Sequence, residues 1–295
     1  MGHGLAVRRR KLGGELRRLR DRTGLTSGEA AALVGWHQSK VSRIETGRSG
    51  VKPADVARLL DAYGVHDRQL RAVLEALADS AGGGGADWAR AYRGLLPPQY
   101  RDFISLESQA RSARTLETSV VPGLLQTPAY ARAVTRAAIQ GLAPDELDSL
   151  VEVRIARQEV LRADPPLALS AVLDEAVLRR RVGGSAAMRE QLRHLLAIAA
   201  LPHVRLQIIP FRYGGYVGLT GPFTLFSFPA ISDLDVVVVD HLTSSLYLER
   251  REDLEAYSAA FQTVQALALS SEDSLDLIAL MAREGPGHFM ASGEA

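Results

Sequence analysis

Between residues 12 and 75 the apolar positions recur three and four apart in short runs, each closed by glycine or opened after a polar cap or proline. Leu12, Leu16 and Leu19 in KLGGELRRLRDRTG form the stripe of an amphipathic helix that ends near Gly24. Thr26 and Glu29 in TSGEAAALVG have the spacing of a capping box, in which each side chain takes a free backbone N–H of the first turn, and Gly35 stops the helix. In HQSKVSRIETGR, Val41 and Ile44 face inward together, which leaves Gln38, Ser39, Ser42 and Arg43 on or near the opposite side. Gly47 is placed as the C-terminal cap. ADVARLLDAYGV, following Pro53, and DRQLRAVLEALAD, following Val65, repeat the spacing, so residues 1–79 read as five short helices.

The pattern changes at SAGGGGAD, whose four consecutive glycines hold no regular element and predict a linker at residues 80–86. Trp88, Tyr92 and Leu95 mark a connecting helix, interrupted by Pro97-Pro98, and a longer helix is predicted through QYRDFISLESQARSARTLE. Beyond it, helical spacing dominates PAYARAVTRAAIQ, DELDSLVEVRIARQEVLRA, SAAMREQLRHLLAIAA and the final DLEAYSAAFQTVQALALSSEDSLDLIALMARE. LALSAVL, VRLQIIPF, FTLFSF, VVVVDH and SLYLE read as strands. The last three leave no room for crossover helices, so that part of the sheet is expected to be an antiparallel meander. The fold class is therefore multidomain: an all-α five-helix domain at 1–79, a Gly-rich linker and connecting helix at 80–95, an α+β domain with a partly antiparallel sheet at 96–285, and a flexible tail at 286–295.

Charge sharpens this division. The net charge is +1, yet residues 1–79 hold 15 Lys and Arg against 9 Asp and Glu, and residues 1–52 hold 12 against 4. Such an excess suits a module that binds a polyanion. The absence of cysteine excludes disulfides, thiolate zinc sites and thiol nucleophiles, and fits a reducing compartment. With neither a signal peptide nor an apolar run of about 18 residues, the chain is expected to be cytoplasmic, with no membrane partner. Lys11, Lys40 and Lys52 are the only lysines among many arginines, a bias expected of a high-G+C bacterium.

Catalytic chemistry finds little support. Asp240-His241 and Asp174-Glu175 supply acid/base pairs on paper, but there is no Gly-x-Ser-x-Gly elbow and no His-Glu-x-x-His helix, so we expect no enzyme, catalytic residue, metal or cofactor. GGYVGLTGPF runs from strand to strand rather than into a helix N-terminus, which predicts a long hairpin connection instead of a phosphate cradle. A loop of that length is suited to lining a ligand pocket, although no ligand-binding residue can be named. Leu254, Tyr257, Phe261, Val264 and Leu267 make the terminal helix a candidate partner surface, against the simpler expectation that it packs within its own domain.

The helices at 26–34 and 37–46, joined by a short turn around Gly35-Trp36, have the layout in which the second helix enters the DNA major groove while the first spans the phosphates. Gln can pair bidentately with adenine, Lys and Arg with guanine, and Ser with either, while the backbone N–H groups of Thr26 and Ser27 suit a phosphate. Here the chain resembles the XRE, phage-repressor-like (lambda-repressor-like) helix-turn-helix family: Leu25, Thr26, Ala31, Gly35, Val41, Ser42, Ile44, Glu45 and Gly47 match its pattern. The resemblance implies DNA contacts from Gln38, Ser39, Lys40, Ser42 and Arg43, with Thr26, Ser27, His37 and Arg48 at the edges of the same surface. Ser27 stands where the family commonly has Gln, and His37 where it has a small N-cap. Glu45 is expected to pair with an arginine of the first helix, Arg17 or Arg20.

VPGLLQTPAYARAV, ARQEVLRADPPLALSAVLDEAVLRRRVGG and RLQIIPFRYGGYVGLTGPFTLFSFP are similar to the C-terminal domain of WhiJ-like actinobacterial regulators. That resemblance implies a transcriptional regulator acting on double-stranded DNA, with a small-molecule effector or a small partner protein at the second domain; a homodimer is expected because one helix-turn-helix buries little surface and paired half-sites about one helical turn apart supply the affinity. The alternative it carries is an antitoxin-like protein that sequesters a small partner and autoregulates its own promoter.

Overall fold

The computed structural model describes residues 3–78, 96, 98–228, 235–241 and 244–284. The linker expected at 80–86, the helix marked by Trp88, Tyr92 and Leu95, and the tail from 286 lie outside these residues. The chain divides into two compact units, one of residues 1–110 with 227–236 and 241–249, the other of residues 111–226 with 237–240 and 250–295.

The first unit holds the five predicted helices, α1 (His3–Arg22), α2 (Ser27–Leu33), α3 (Gln38–Glu45), α4 (Pro53–Ala62) and α5 (Arg68–Ala78), and then α6 (Pro98–Gln109). Leu12, Leu16 and Leu19 are buried, as their spacing predicts, and α1 packs against α3, α5 and α6. The contact between α1 and α3 is backbone-close. A Cβ on Gly13 would lie 2.3 Å from the carbonyl oxygen of Ile44 and 2.7 Å from that of Glu45. Its neighbour Gly14 faces open space.

The sheet has six strands in the order β3-β2-β1-β4-β5-β6: β1 (Ser112–Glu117), β2 (Ala168–Asp174), β3 (Val204–Ile209), β4 (Phe223–Ser227), β5 (Val236–Asp240) and β6 (Ser245–Leu248). β1, β2 and β3 are parallel, with Ser112 opposite Ala168 and Leu169 opposite Val204. Helices make the crossovers: α7 (Pro128–Ala138) and α8 (Pro144–Ala156) between β1 and β2, then α9 (Glu175–Arg179) and α10 (Gly184–Ile198) between β2 and β3. Only residues 241–244 join β5 to β6, too few for a parallel crossover of about a dozen residues, which makes that pair antiparallel and the sheet mixed.

Three local expectations are corrected. The helix predicted through QYRDFISLESQARSARTLE ends at Gln109, and residues 112–117 form β1. Arg, Leu, Glu and Ala favour a helix locally, but the segment lies between β2 and β4, where ladder bonds on both edges and the burial of Ala113, Thr115 and Leu116 decide its conformation. The connection from β3 to β4 is not a hairpin, since β2 and β1 separate the two strands. It crosses the carboxyl ends of both: Tyr216 donates its hydroxyl to Asp174 Oδ2 at 2.6 Å, and Gly218 lies against Leu116.

The final helical run is two helices, α11 (Arg251–Leu267) and α12 (Ser271–Glu284), and the break has a structural cause. Between them the Leu269 N–H donates to the Ile208 carbonyl at 2.8 Å and Gln207 Nε2 donates to the Leu269 carbonyl at 2.8 Å, while the Ile208 N–H donates to Oγ of Ser274, in the first turn of α12, at 3.0 Å. The break thus covers the open edge of β3. Phe261 and Val264 of α11 are buried, and Tyr257 meets Phe223 edge-on at 4.9 Å, so this helix packs within its own unit.

The loop after β1, in VPGLLQTPAY, is a buried segment whose backbone groups are satisfied by glutamines. Gln126 Nε2 donates to the Val121 carbonyl at 2.6 Å, Gln158 Nε2 to the Gln126 carbonyl at 2.7 Å, and Gln191 Nε2 to the Leu125 carbonyl at 2.6 Å. Gln191 Oε1 in turn accepts from the Thr127 N–H at 2.8 Å. Without these side chains the loop would bury unpaired polar groups, at about 1–3 kcal/mol each.

The packing of α1 on α3 is testable at two adjacent glycines. Gly13→Ala is expected to destabilise the protein by about 1–3 kcal/mol through overpacking. Gly14→Ala, in open space on the same helix, should be neutral or gain up to about 1 kcal/mol from helix propensity. Urea denaturation of the two variants reads the difference, and equal midpoints would contradict the close contact.

Candidate functional site

The surface formed by α2 and α3 is aimed by local chemistry at each helix end. Thr26 caps α2: its Oγ1 accepts from the Glu29 N–H at 3.2 Å, and Glu29 Oε2 accepts from the Thr26 N–H at 2.8 Å, completing the predicted capping box. The Thr26 N–H and then its hydroxyl, which donates to Glu29 Oε2 at 2.8 Å, hold the Glu29 carboxyl below its ordinary pKa. The Thr26 N–H is therefore committed within the box.

Both helices end in a left-handed glycine. Gly35, with φ of 68°, donates to the Ala32 carbonyl, and Trp36 N–H to that of Ala31 at 2.8 Å; Gly47, with φ of 69°, donates to Ile44, and Arg48 N–H to Arg43 at 2.9 Å. This paired pattern satisfies the last carbonyls and turns the chain sharply, and a side chain at either glycine would be strained.

Val41 and Ile44 are 0% and 2% exposed, so α3 is seated on its apolar face and turns the other outward. Its far end is fastened by a buried ion pair. Arg20 donates from Nε to Glu45 Oε1 at 2.7 Å and from Nη2 to Oε2 at 2.9 Å, with side chains 9% and 5% exposed. Of the two arginines expected for Glu45, Arg20 is the partner, while Arg17 lies 3.8 Å from Asp21. The hydrogen bonds to Glu45 raise the Arg20 pKa further. Arg20 Nη1 also donates to the Leu25 carbonyl at 2.6 Å, tying the same guanidinium to the start of the helix pair.

Most of the sequence-predicted residues fall on one outward surface. Gln38, Ser39 and Arg43 are exposed, Ser42 is half-buried beside them, and Arg48 is exposed just past the helix. Gln38 Nε2 donates to Ser27 Oγ at 3.1 Å, so the shorter residue on α2 still fixes the amide. His37 occupies the N-cap position without making a side-chain capping bond; its Nδ1 lies 3.2 Å from Ser39 Oγ.

Lys40 is engaged within the unit, where its Nζ donates to Asp55 Oδ2 at 3.1 Å and lies 3.5 Å from the centre of the Trp36 ring. Arg58 approaches the same ring at 5.8 Å and donates to the Val34 carbonyl at 3.0 Å. Asp55 and Arg58 reach the helix-turn-helix from α4, and the only local sign of this cluster is the spacing of Trp36 and Lys40 by one helical turn.

In the second unit, polar groups gather at the carboxyl ends of the parallel strands. Glu117 ends β1 where the strand order turns back, with β2 and β3 on one side and β4 on the other, the position where open α/β sheets bind ligands. Burial and the Asp240 charge push its carboxyl up to about 8, against an opposing effect of Arg154. Asp174 ends β2 and accepts from Tyr216, whose hydroxyl pKa is raised by burial and by that hydrogen bond. Among the described residues no three His, Asp or Glu side chains group as metal ligands, and no helix is long and apolar enough to cross a membrane.

Residues 11–74 match the family described as a helix-turn-helix domain, and residues 100–279 match one described as a domain of unknown function, DUF5753. Fold and match together define a helix-turn-helix DNA-binding transcriptional regulator. The chain belongs to the DUF5753 family, whose domain spans more than half of its length. No curated protein and no solved structure matches the chain.

Two substitutions test the electrostatics. Glu45→Ala removes both hydrogen bonds that the Glu45 carboxylate takes from the buried Arg20 guanidinium, leaves it only the exposed Asp21 carboxylate at 2.7 Å, and should cost about 3 kcal/mol in denaturant titrations. Glu117 binds a proton more tightly folded than unfolded, so its contribution to stability is full at acid pH and is lost as pH rises from about 4.5 to about 8. Glu117→Gln should therefore melt like the parent near pH 4.5 and above it at pH 8; parallel melting curves across that range would contradict the shift.

Proposed function

We propose that the protein is a dimeric, sequence-specific regulator in which α3 reads base edges in the major groove and the DUF5753 domain governs DNA affinity by taking a ligand or a partner protein. The single observation that carries the DNA reading is the two-faced character of α3, with Val41 and Ile44 buried beneath exposed Gln38, Ser39 and Arg43. Gln38, held by Ser27, is suited to bidentate recognition of adenine, and Arg43 to guanine. Arg48 lies past the C-cap, where a guanidinium serves a phosphate. Lys40 supports this surface through Trp36 and Asp55.

The regulatory half of the reading rests on the resemblance to WhiJ-like actinobacterial regulators and on the polar groups at the carboxyl edge of the sheet. It assigns the protein no catalytic step. A species that binds the second domain with different affinity in DNA-competent and DNA-incompetent states must shift DNA affinity reciprocally. Pairing of two chains supplies what one short recognition helix lacks, since half-sites about one helical turn apart are read together.

Selection of bound sequences from a random duplex library, followed by titration, tests the assignment. Gln38→Ala and Arg43→Ala should each relax preference at one base position per half-site, by about 1–3 kcal/mol. Arg48→Ala should weaken all sequences alike and reduce the slope of log affinity against log salt by about 1. An unchanged selected site for Gln38→Ala removes Gln38 from base readout.

A further inference from the structure

Lys40 and Arg43 lie three residues apart on α3, so their side chains share one flank of its outward surface. Arg43 is exposed, and among the described residues it has no ion pair. The Lys40 ammonium, by contrast, is held twice, by Asp55 Oδ2 at 3.1 Å and by the Trp36 ring at 3.5 Å from its centre. The two side chains of the pair are 39% and 25% exposed. A fully exposed ion pair is weak, but here a carboxylate and the face of an indole act together on one ammonium that has given up part of its water.

Asp55 is itself fixed in place. It stands in the first turn of α4, which opens on Pro53 and is seated by the buried Val56, Leu59 and Leu60. Arg58, three residues on, donates to the Val34 carbonyl at the end of α2 at 3.0 Å and approaches the same indole at 5.8 Å. α4 is thus fastened to the helix pair where Lys40 emerges, and its carboxylate arrives at a set point. For Lys40 to reach a phosphate, its flexible stem has to leave both the carboxylate and the ring, and Asp55 repels the phosphate that it would meet.

We propose that Asp55 is a positioning residue of the DNA-binding surface that acts through Lys40: it withholds this charge from the DNA backbone and so limits the affinity that every sequence receives alike. The proposal rests on the reading in which the outward side of α3 meets DNA. Phosphate contacts add affinity without regard to sequence, whereas a guanidinium such as that of Arg43 is suited to a base edge. Tying down Lys40 leaves Arg43 on this flank without a neighbour that grips any duplex. A larger share of binding then depends on base contacts, which matters because non-specific sites far outnumber specific ones.

Fluorescence anisotropy of the full chain on a random-sequence duplex, over a series of salt concentrations, tests the restraint. Asp55→Asn keeps the shape and removes the charge; it is expected to steepen the slope of log affinity against log salt by about 1 and to raise affinity about 5-fold at about 0.15 M salt, the effect of one added phosphate contact. Asp55→Glu, which restores a carboxylate, should keep the parent slope. Asp55→Asn combined with Lys40→Gln should return to it, since the released charge is then absent. An unchanged slope for Asp55→Asn overturns the proposal, and so does a double variant as steep as Asp55→Asn, which places the effect in the carboxylate alone; in either case a parent slope that Arg48→Ala lowers leaves the reading of α3 standing. A parent whose duplex binding does not respond to salt overturns both. Should Asp55→Asn melt early, Asp55→Ser, which also suits the start of a helix, gives the same readout.

Discussion

The Glu45 carboxylate receives two hydrogen bonds from the Arg20 guanidinium inside the first unit, and the seat of α3 depends on that pairing. α3 is only eight residues long, too short to be stable by propensity, so its position is set by what it packs against. Val41 and Ile44 fix which face turns inward, but apolar contact does not fix rotation or translation along α1. The bidentate pair does, since it links the end of α3 to one point on α1, and Arg20 carries the constraint on to the Leu25 carbonyl before α2. Gly13 then lets the two backbones close to a distance that no side chain would allow.

The second unit answers a different constraint. Crossing from β3 back to the far side of β1 requires a connection over the ends of two strands, and burying the loop after β1 requires partners for its backbone. Gln126, Gln158 and Gln191 meet the second need, while Tyr216 and Gly218 meet the first. These devices leave an anchored loop whose outward side chains are apolar, over the carboxyl ends of β1 and β2, where Glu117 and Asp174 end neighbouring strands. The same economy appears at β3, where the break between the last two helices supplies hydrogen bonds to an edge that would otherwise be open.

The outward surface of α2 and α3 combines exposed polar side chains with internally committed neighbours. Gln38 and Arg43 face outward, whereas Lys40 is tied to Asp55 and Trp36, and the Thr26 N–H to Glu29. A motif of hydrogen-bonding residue types therefore divides into groups left outward, to which the proposed function assigns base reading, and groups that hold the helices in place. The shorter Ser27 does not leave Gln38 loose, because the two side chains meet directly.

By itself the sequence determined the five N-terminal helices, their caps, the inward face of α3 and the pairing of Glu45 with the first helix, because each rests on interactions a few residues apart or on a charge with few possible partners. Five of the six strands were legible for the same reason, as runs of β-branched and aromatic residues between turns. β1 was not, because Ser112–Glu117 is a strand only through its place between β2 and β4. Nor could spacing show that the glycine-rich connection crosses two strands, that Lys40 turns toward Asp55, or that Phe211 and Leu219 stay exposed. Those outcomes were decided by tertiary structure, since strand order and long-range hydrogen bonds join residues that no local period relates.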